Sequence, residues 1–189
     1  MRRKGCCKRP CRCSGQSMVE LAMILPILML LCFGAAELSH AILFNNMLIN
    51  MSREGANLAS RTAQSRAFII DALNHTSAPL EMETKGMLFI SRVKGVDGGS
   101  GLVLPVIDEQ YRAVHGNAAL TSRLWNCPQW DASSGKCILP VSIATRVVAM
   151  PFVVGLGYEV YVVEALYDYS PLSNLFLTTS PQLYSVTYF

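Results

Sequence analysis

The chain has 189 residues, of which 51% are hydrophobic and only 15% charged, and its formal net charge is +3. That length is room for one modest domain beside a membrane helix, and the composition is more apolar than an ordinary soluble domain requires. Arg2, Arg3, Lys4, Lys8, Arg9 and Arg12 all lie in the first 15 residues, where there is no acid, so without that leader the charge becomes −3. A mildly acidic remainder argues against nucleic-acid binding.

Residues 1–15 form a basic leader directly before an apolar run, an arrangement that places the N-terminus on the cytoplasmic side of a membrane. Cys6, Cys7, Cys11 and Cys13 crowd into it, but their spacing lacks the paired C-x2-C of a zinc site and no folded frame surrounds them. They are expected to stay reduced and unstructured. Gly15 ends the leader, and Glu20 stands five residues after it. From Leu21 to Phe44 the sequence is apolar apart from Glu37, Ser39 and His40. A helix of about 20 or more such residues crosses the ~30 Å hydrocarbon layer. Glu20 is the odd member, because a carboxylate costs on the order of 2.5–3.5 kcal/mol if it reaches the centre of a span. Pro26 should kink the helix near the cytoplasmic end of the span. Gly34, Ala35 and Ala36 form a small-residue patch where a second helix can approach; they also offer the rival reading, a secretory signal, its weak cleavage site. Glu37 and His40 should mark the far interface.

From Ala41 to about Leu73 the apolar positions Phe44, Leu48, Met51, Leu58, Ala63 and Phe68 alternate with charged ones, which predicts an amphipathic stem continuing the membrane helix. Gly55 is its weak point, and Asn74 to Pro79 ends it. The remainder reads mostly as strand. Gly86–Lys94 and Leu102–Ile107 flank a glycine turn at Gly95–Gly101, with Pro105 placing the second strand at an edge. A short helix is expected at Ala118–Trp125, and strands at Ile138–Met150, Tyr158–Tyr167 and Gln182–Tyr188. Cys127 and Cys137 bracket a polar loop; in an oxidising compartment the pair reads as a disulfide, with two free thiols as the alternative. Trp130, in that loop, is the candidate exposed contact. The fold class is therefore α+β: a long N-terminal helix (residues 16–75, with the span at about 21–44) packed on a mostly antiparallel β domain (residues 76–189). His75 and His115 are isolated, and no hydrolase, metalloprotease or phosphate-loop motif occurs. A non-catalytic protein without cofactor, metal or small-molecule substrate is expected.

The opening Gly15-Gln16-Ser17-Met18-Val19-Glu20, running into an apolar helix, resembles the class III signal of type IV prepilins. The segments Val19-Glu20-Leu21-Ala22 with Leu25-Pro26, then Arg53-Glu54-Gly55-Ala56, and Val163–Leu172 near the C-terminus narrow that resemblance to TadE-like pseudopilins of the Tad/Flp system. Residues 76–150 carry none of it. The resemblance implies a pilin-like build and cleavage by a prepilin peptidase between Gly15 and Gln16, with Glu20 as the determinant of processing and assembly. It also implies a single-pass protein of the bacterial inner membrane with a periplasmic C-terminal domain, either incorporated into a surface pilus or retained at its base. The partners implied are the membrane, the peptidase, other Tad pilins and pseudopilins, and the inner-membrane assembly platform. The alternative is a signal-anchored periplasmic binding or envelope protein unrelated to pili.

Overall fold

The computed structural model describes residues 16–99, 101–171 and 180–189; Gly15, the leader cysteines and residues 172–179 lie outside them. Helix α1 covers Gln16–Arg61, α2 Arg66–His75 and α3 Met82–Lys85. Strands follow at β1 Gly86–Asp97, β2 Val103–Arg112, β3 Glu159–Asp168 and β4 Gln182–Tyr188, with a 3-10 turn at Ile143–Arg146 before β3. The chain forms two compact units, residues 1–39 and 40–189, and α1 passes through their boundary as one helix.

In the second unit the four strands form one antiparallel sheet in the order β2-β1-β3-β4. The α+β expectation therefore holds: a long N-terminal helix lies on a four-stranded antiparallel sheet. Register and alternation put Leu88, Ile90, Val163, Ala165, Tyr167, Ser185 and Thr187 on one face. Against that face α1 buries Phe44, Leu48, Met51, Ser52, Ala56 and Ala59, which recur at helical spacing. Each large apolar side chain buried this way contributes roughly 1.5–3 kcal/mol. Phe44 meets the rings of Tyr167 and Tyr169 edge-on at 5.6 and 5.7 Å. The buried Ser52 hydroxyl bonds those of Ser185 and Thr187 at 2.8 and 2.9 Å, so the polar pair is satisfied inside the layer. At the far end the Arg61 guanidinium sits over the Phe189 ring. These contacts show α1 running along the sheet, against the direction of β3 and with that of β4.

The stem is two helices rather than one. Residues 62–65 interrupt it, and Ser65 caps α2 by accepting the Phe68 N–H. Tertiary packing gives the reason. A Cβ at Gly55 would lie 3.0 Å from Leu73 Cδ1, whereas one continuous helix would hold these positions about 27 Å apart. The chain must therefore fold back so that α2 can bury Ile69, Ile70 and Leu73. Phe68, expected on the apolar face, is exposed. Gly55 is not a weak point of the helix. It is where α1 comes close enough to touch Leu73 and Val163.

On the other side of the sheet the expected helix at 118–125 and strand at 138–150 do not form. Residues 113–158 instead make an irregular layer with the 3-10 turn and isolated bridges. Its buried polar contacts to the sheet supply the order that local hydrogen bonding would otherwise give. Tyr158–Tyr167 and Gln182–Tyr188 match β3 and β4 within a residue, and Pro105 does sit in the edge strand β2.

Gly55→Val should overpack the α1–α2–β3 junction, costing about 1–3 kcal/mol; the denaturant midpoint of the detergent-solubilised chain reads it.

Candidate functional site

Residues 18–33 of α1 are exposed on every side and apolar apart from Glu20. Among the described residues this is the helix long and apolar enough to cross a membrane. Apolar side chains left exposed around a full helical circumference belong in a lipid or protein environment rather than water. Pro26 lies inside the helix, and Glu20 stands on its exposed surface one turn after Gln16, the first helical residue. Helical spacing puts Glu20 on the same side as Ile24 and Ile27. Ser39 turns its hydroxyl back to the Ala35 carbonyl at 2.7 Å, so it needs no outside partner within an apolar run. Glu37 is buried, and His40 packs its ring against Phe44 at 4.6 Å.

In the second unit the residues that gather are mostly ones the sequence did not single out. Glu164 is fully buried in the middle of β3, on the face away from α1. It accepts hydrogen bonds from the Ser122 hydroxyl, from the backbone N–H groups of Arg123 and Leu124 at 2.9 and 3.1 Å, and from the Tyr184 hydroxyl at 3.0 Å. Ser122 also accepts from Gln110 Nε2 at 3.2 Å, tying in β2. Four donors compensate a carboxylate that would otherwise be costly to bury. Burial first, and then the Glu164 carboxylate, push the Tyr184 hydroxyl above the ordinary tyrosine value. The only local cue to this network is one acid within the apolar run of β3; its donors come from segments scattered along the chain.

Beyond Ser122 the chain enters the cysteine loop. Cys127 and Cys137 are joined in a disulfide. Asp131 accepts from the Ser133 N–H and the Ser134 hydroxyl, and these bonds hold its carboxyl below the usual range. Gly135 has φ +65°, and a Cβ there would meet the Arg112 carbonyl at 2.3 Å, so the turn requires glycine. Trp130 is not held out at a loop tip. It is half-buried, 5.9 Å from the Phe89 ring, with the Arg112 guanidinium 4.9 Å from its own.

His75 and His115, isolated in sequence, line one cleft of about 380 Å³ with Asp71, Glu83 and Arg112. His75 and Asp71 stand 3.6 Å apart on an exposed helix face. No group of three metal-ligating side chains occurs among the described residues.

The fold and the exposed helix thus define a class: a chain with one N-terminal helix fit to cross a membrane, joined to an α+β unit. The family model described as TadE-like protein matches residues 15–57. This N-terminal segment is therefore TadE-like, and the likeness links the chain to Tad pilus machinery and the membrane. The match covers under a quarter of the chain. No curated protein and no solved structure matches it.

Glu164→Ala would strand its four donors at the sheet and should cost on the order of 3 kcal/mol or more, read by denaturant titration. The folded state holds the Tyr184 proton more tightly than the unfolded chain does. That contribution to stability is complete below about pH 10 and is lost as the pH rises beyond it. Removing Glu164 should lower the pH at which tyrosinate absorbance appears. Cys127→Ser opens a loop of sequence separation 10 and should cost roughly 2–3 kcal/mol, with identical reduced and non-reduced gel mobility.

Proposed function

We propose that the chain is a minor pseudopilin, cut by a prepilin peptidase between Gly15 and Gln16 and taking part in assembling a Tad/Flp pilus for surface adhesion. The observation that carries this reading is the TadE-like match at residues 15–57. It falls on the segment where a glycine precedes an apolar helix whose fifth residue is Glu20. The role is physical rather than catalytic. The apolar segment of α1 holds the subunit in the inner membrane with its N-terminus cytoplasmic and residues 40–189 in the periplasm. Disulfide formation between Cys127 and Cys137 suits that oxidising compartment.

In this reading Glu20 is carried toward the apolar layer, at whose centre a carboxylate costs on the order of 2.5–3.5 kcal/mol. An adjacent subunit offers Glu20 an opposite charge in the new amino group that cleavage creates at Gln16. Pro26 lets the helix bend just beyond the pair. Trp130 then contributes to the domain by packing, and contact through its remaining exposed surface is secondary.

The first test is intact mass and N-terminal sequence of the membrane-fraction protein, with and without the host prepilin peptidase. A peptidase-dependent start at Gln16 is expected; an intact Met1 start in both backgrounds moves the reading to a signal-anchored envelope protein. Glu20→Ala should leave the domain's thermal midpoint unchanged and reduce subunit association at least about tenfold, the equivalent of about 1.4 kcal/mol, measured by cross-linking in membranes.

A further inference from the structure

The loop that carries Trp130 forms one wall of a second, smaller cleft, of about 200 Å³. Its lining is apolar at the buried residues Phe89 and Leu120. Arg112, Trp130, Thr121 and Asn126 bring polar groups to it. Two of these are fixed in place. Arg112 N–H donates to the Gly135 carbonyl at 2.9 Å, and its guanidinium lies over the Trp130 ring. Trp130 bridges to Cys137, one end of the disulfide. A guanidinium resting on an aromatic face keeps its full charge and its donors.

This cleft has an excess of donors. Among the described residues the Arg112 guanidinium meets no carboxylate and donates to no acceptor. The Trp130 indole N–H, the Thr121 hydroxyl and the Asn126 amide have no hydrogen-bond partner among the described residues either. No acid among them lines the cleft. Ser122 lines it too, but its hydroxyl is committed, donating to Glu164 and accepting from Gln110. Glu164 in turn already has its four donors. The larger cleft, which Arg112 also borders, is different in kind, because Asp71 and Glu83 line it and would repel an anion.

We propose that the smaller cleft is a carboxylate-binding site. The planar fork of Arg112 matches the two oxygens of a carboxylate. Asn126, Thr121 and the Trp130 N–H supply further donors, and Phe89 and Leu120 receive a short aliphatic group beside it. One guanidinium with no second cation suits a monoanion better than a phosphate. The volume admits a short-chain acid or the last residue of a polypeptide, and these two sources share the same chemistry. The proposal does not rest on the pilus reading.

The test uses the full chain, purified in detergent with the disulfide intact and isotope-labelled at tryptophan nitrogen. The chain has two tryptophans, so Trp125→Phe assigns the two indole signals. The probes are propanoate, N-acetyl-alanine, the neutral N-acetyl-alaninamide and inorganic phosphate. The Trp130 indole N–H should shift saturably with at least one of the two carboxylates, and the amide should bind at least about tenfold more weakly. Tighter binding of N-acetyl-alanine identifies a chain end as the ligand, and tighter binding of propanoate a free acid. Arg112→Lys keeps a cation over the ring but loses the fork, so the thermal midpoint should hold while affinity falls about tenfold. Thr121→Val with Asn126→Ala leaves the Arg112–Trp130 contact alone and should weaken binding by a similar factor; this pair carries the test if Arg112→Lys does not fold. No saturable shift, equal binding of the amide, tighter binding of phosphate, or an affinity indifferent to these variants would each overturn the proposal. None of these outcomes depends on whether the N-terminus is cut.

Discussion

The second unit depends on β3, and above all on the carboxylate buried at its centre. One face of the strand, Val163, Ala165 and Tyr167, disappears under the helices, as hydrophobic burial alone would arrange. The other face carries Glu164, and the layer over it has almost no regular secondary structure to hold it in shape. What organises that layer is the demand that a buried charge be surrounded by donors. Ser122 and the backbone at Arg123 and Leu124 meet that demand from one side, and Tyr184 meets it from β4. With the chain pinned there, the Trp125 indole reaches the Thr145 carbonyl at 2.9 Å, and the cysteine loop lies back across Phe89. The disulfide closes a segment already anchored at its start.

The residues of helix α1 answer to two environments, one in each unit. From residue 18 to residue 33 the helix's side chains are exposed on every side and their identity is set by what surrounds the protein. From Phe44 to Ala59 a single stripe is buried and the positions between it, such as Arg53, Glu54 and Asn57, are exposed. The TadE-like match ends within this second stretch, so it describes the span and the beginning of the packed helix and says nothing of the sheet. A helix is a sound way to join the two, because its backbone hydrogen bonds are satisfied internally in lipid and in water alike.

An N-terminal helix was legible because its signals are local. Apolar run length, the position of Glu20 and the basic leader all fall within about 45 residues of sequence. Strands β3 and β4 were legible for the same reason, since each is rich in Tyr and Val and bounded by turn residues. The misreadings fall where local pattern and tertiary demand part. Residues 62–65 look helical until Leu73 is required beside Gly55. Residues 138–150 look like a strand, but Pro140 lies within them, Pro151 follows at once, and only Val147 among them forms a bridge to the sheet. Trp130 looks like a loop tip until Phe89 and Arg112 draw it down.

By itself, then, the sequence determined that the chain has one membrane-length helix with a carboxylate near its start, and that an α+β unit follows it. Both are consequences of composition and short-range periodicity, which act on neighbours in the chain. Only the tertiary structure decided that the stem folds back on itself, that Glu164 binds four donors from two segments far apart in the chain, and that the outer edge of β2 is covered from within the chain. Those features arise from pairings across many tens of residues, such as Ser122 with Glu164 and Ser52 with Ser185. No local rule encodes such pairings; they are chosen when the whole unit buries its apolar faces and satisfies its polar groups together.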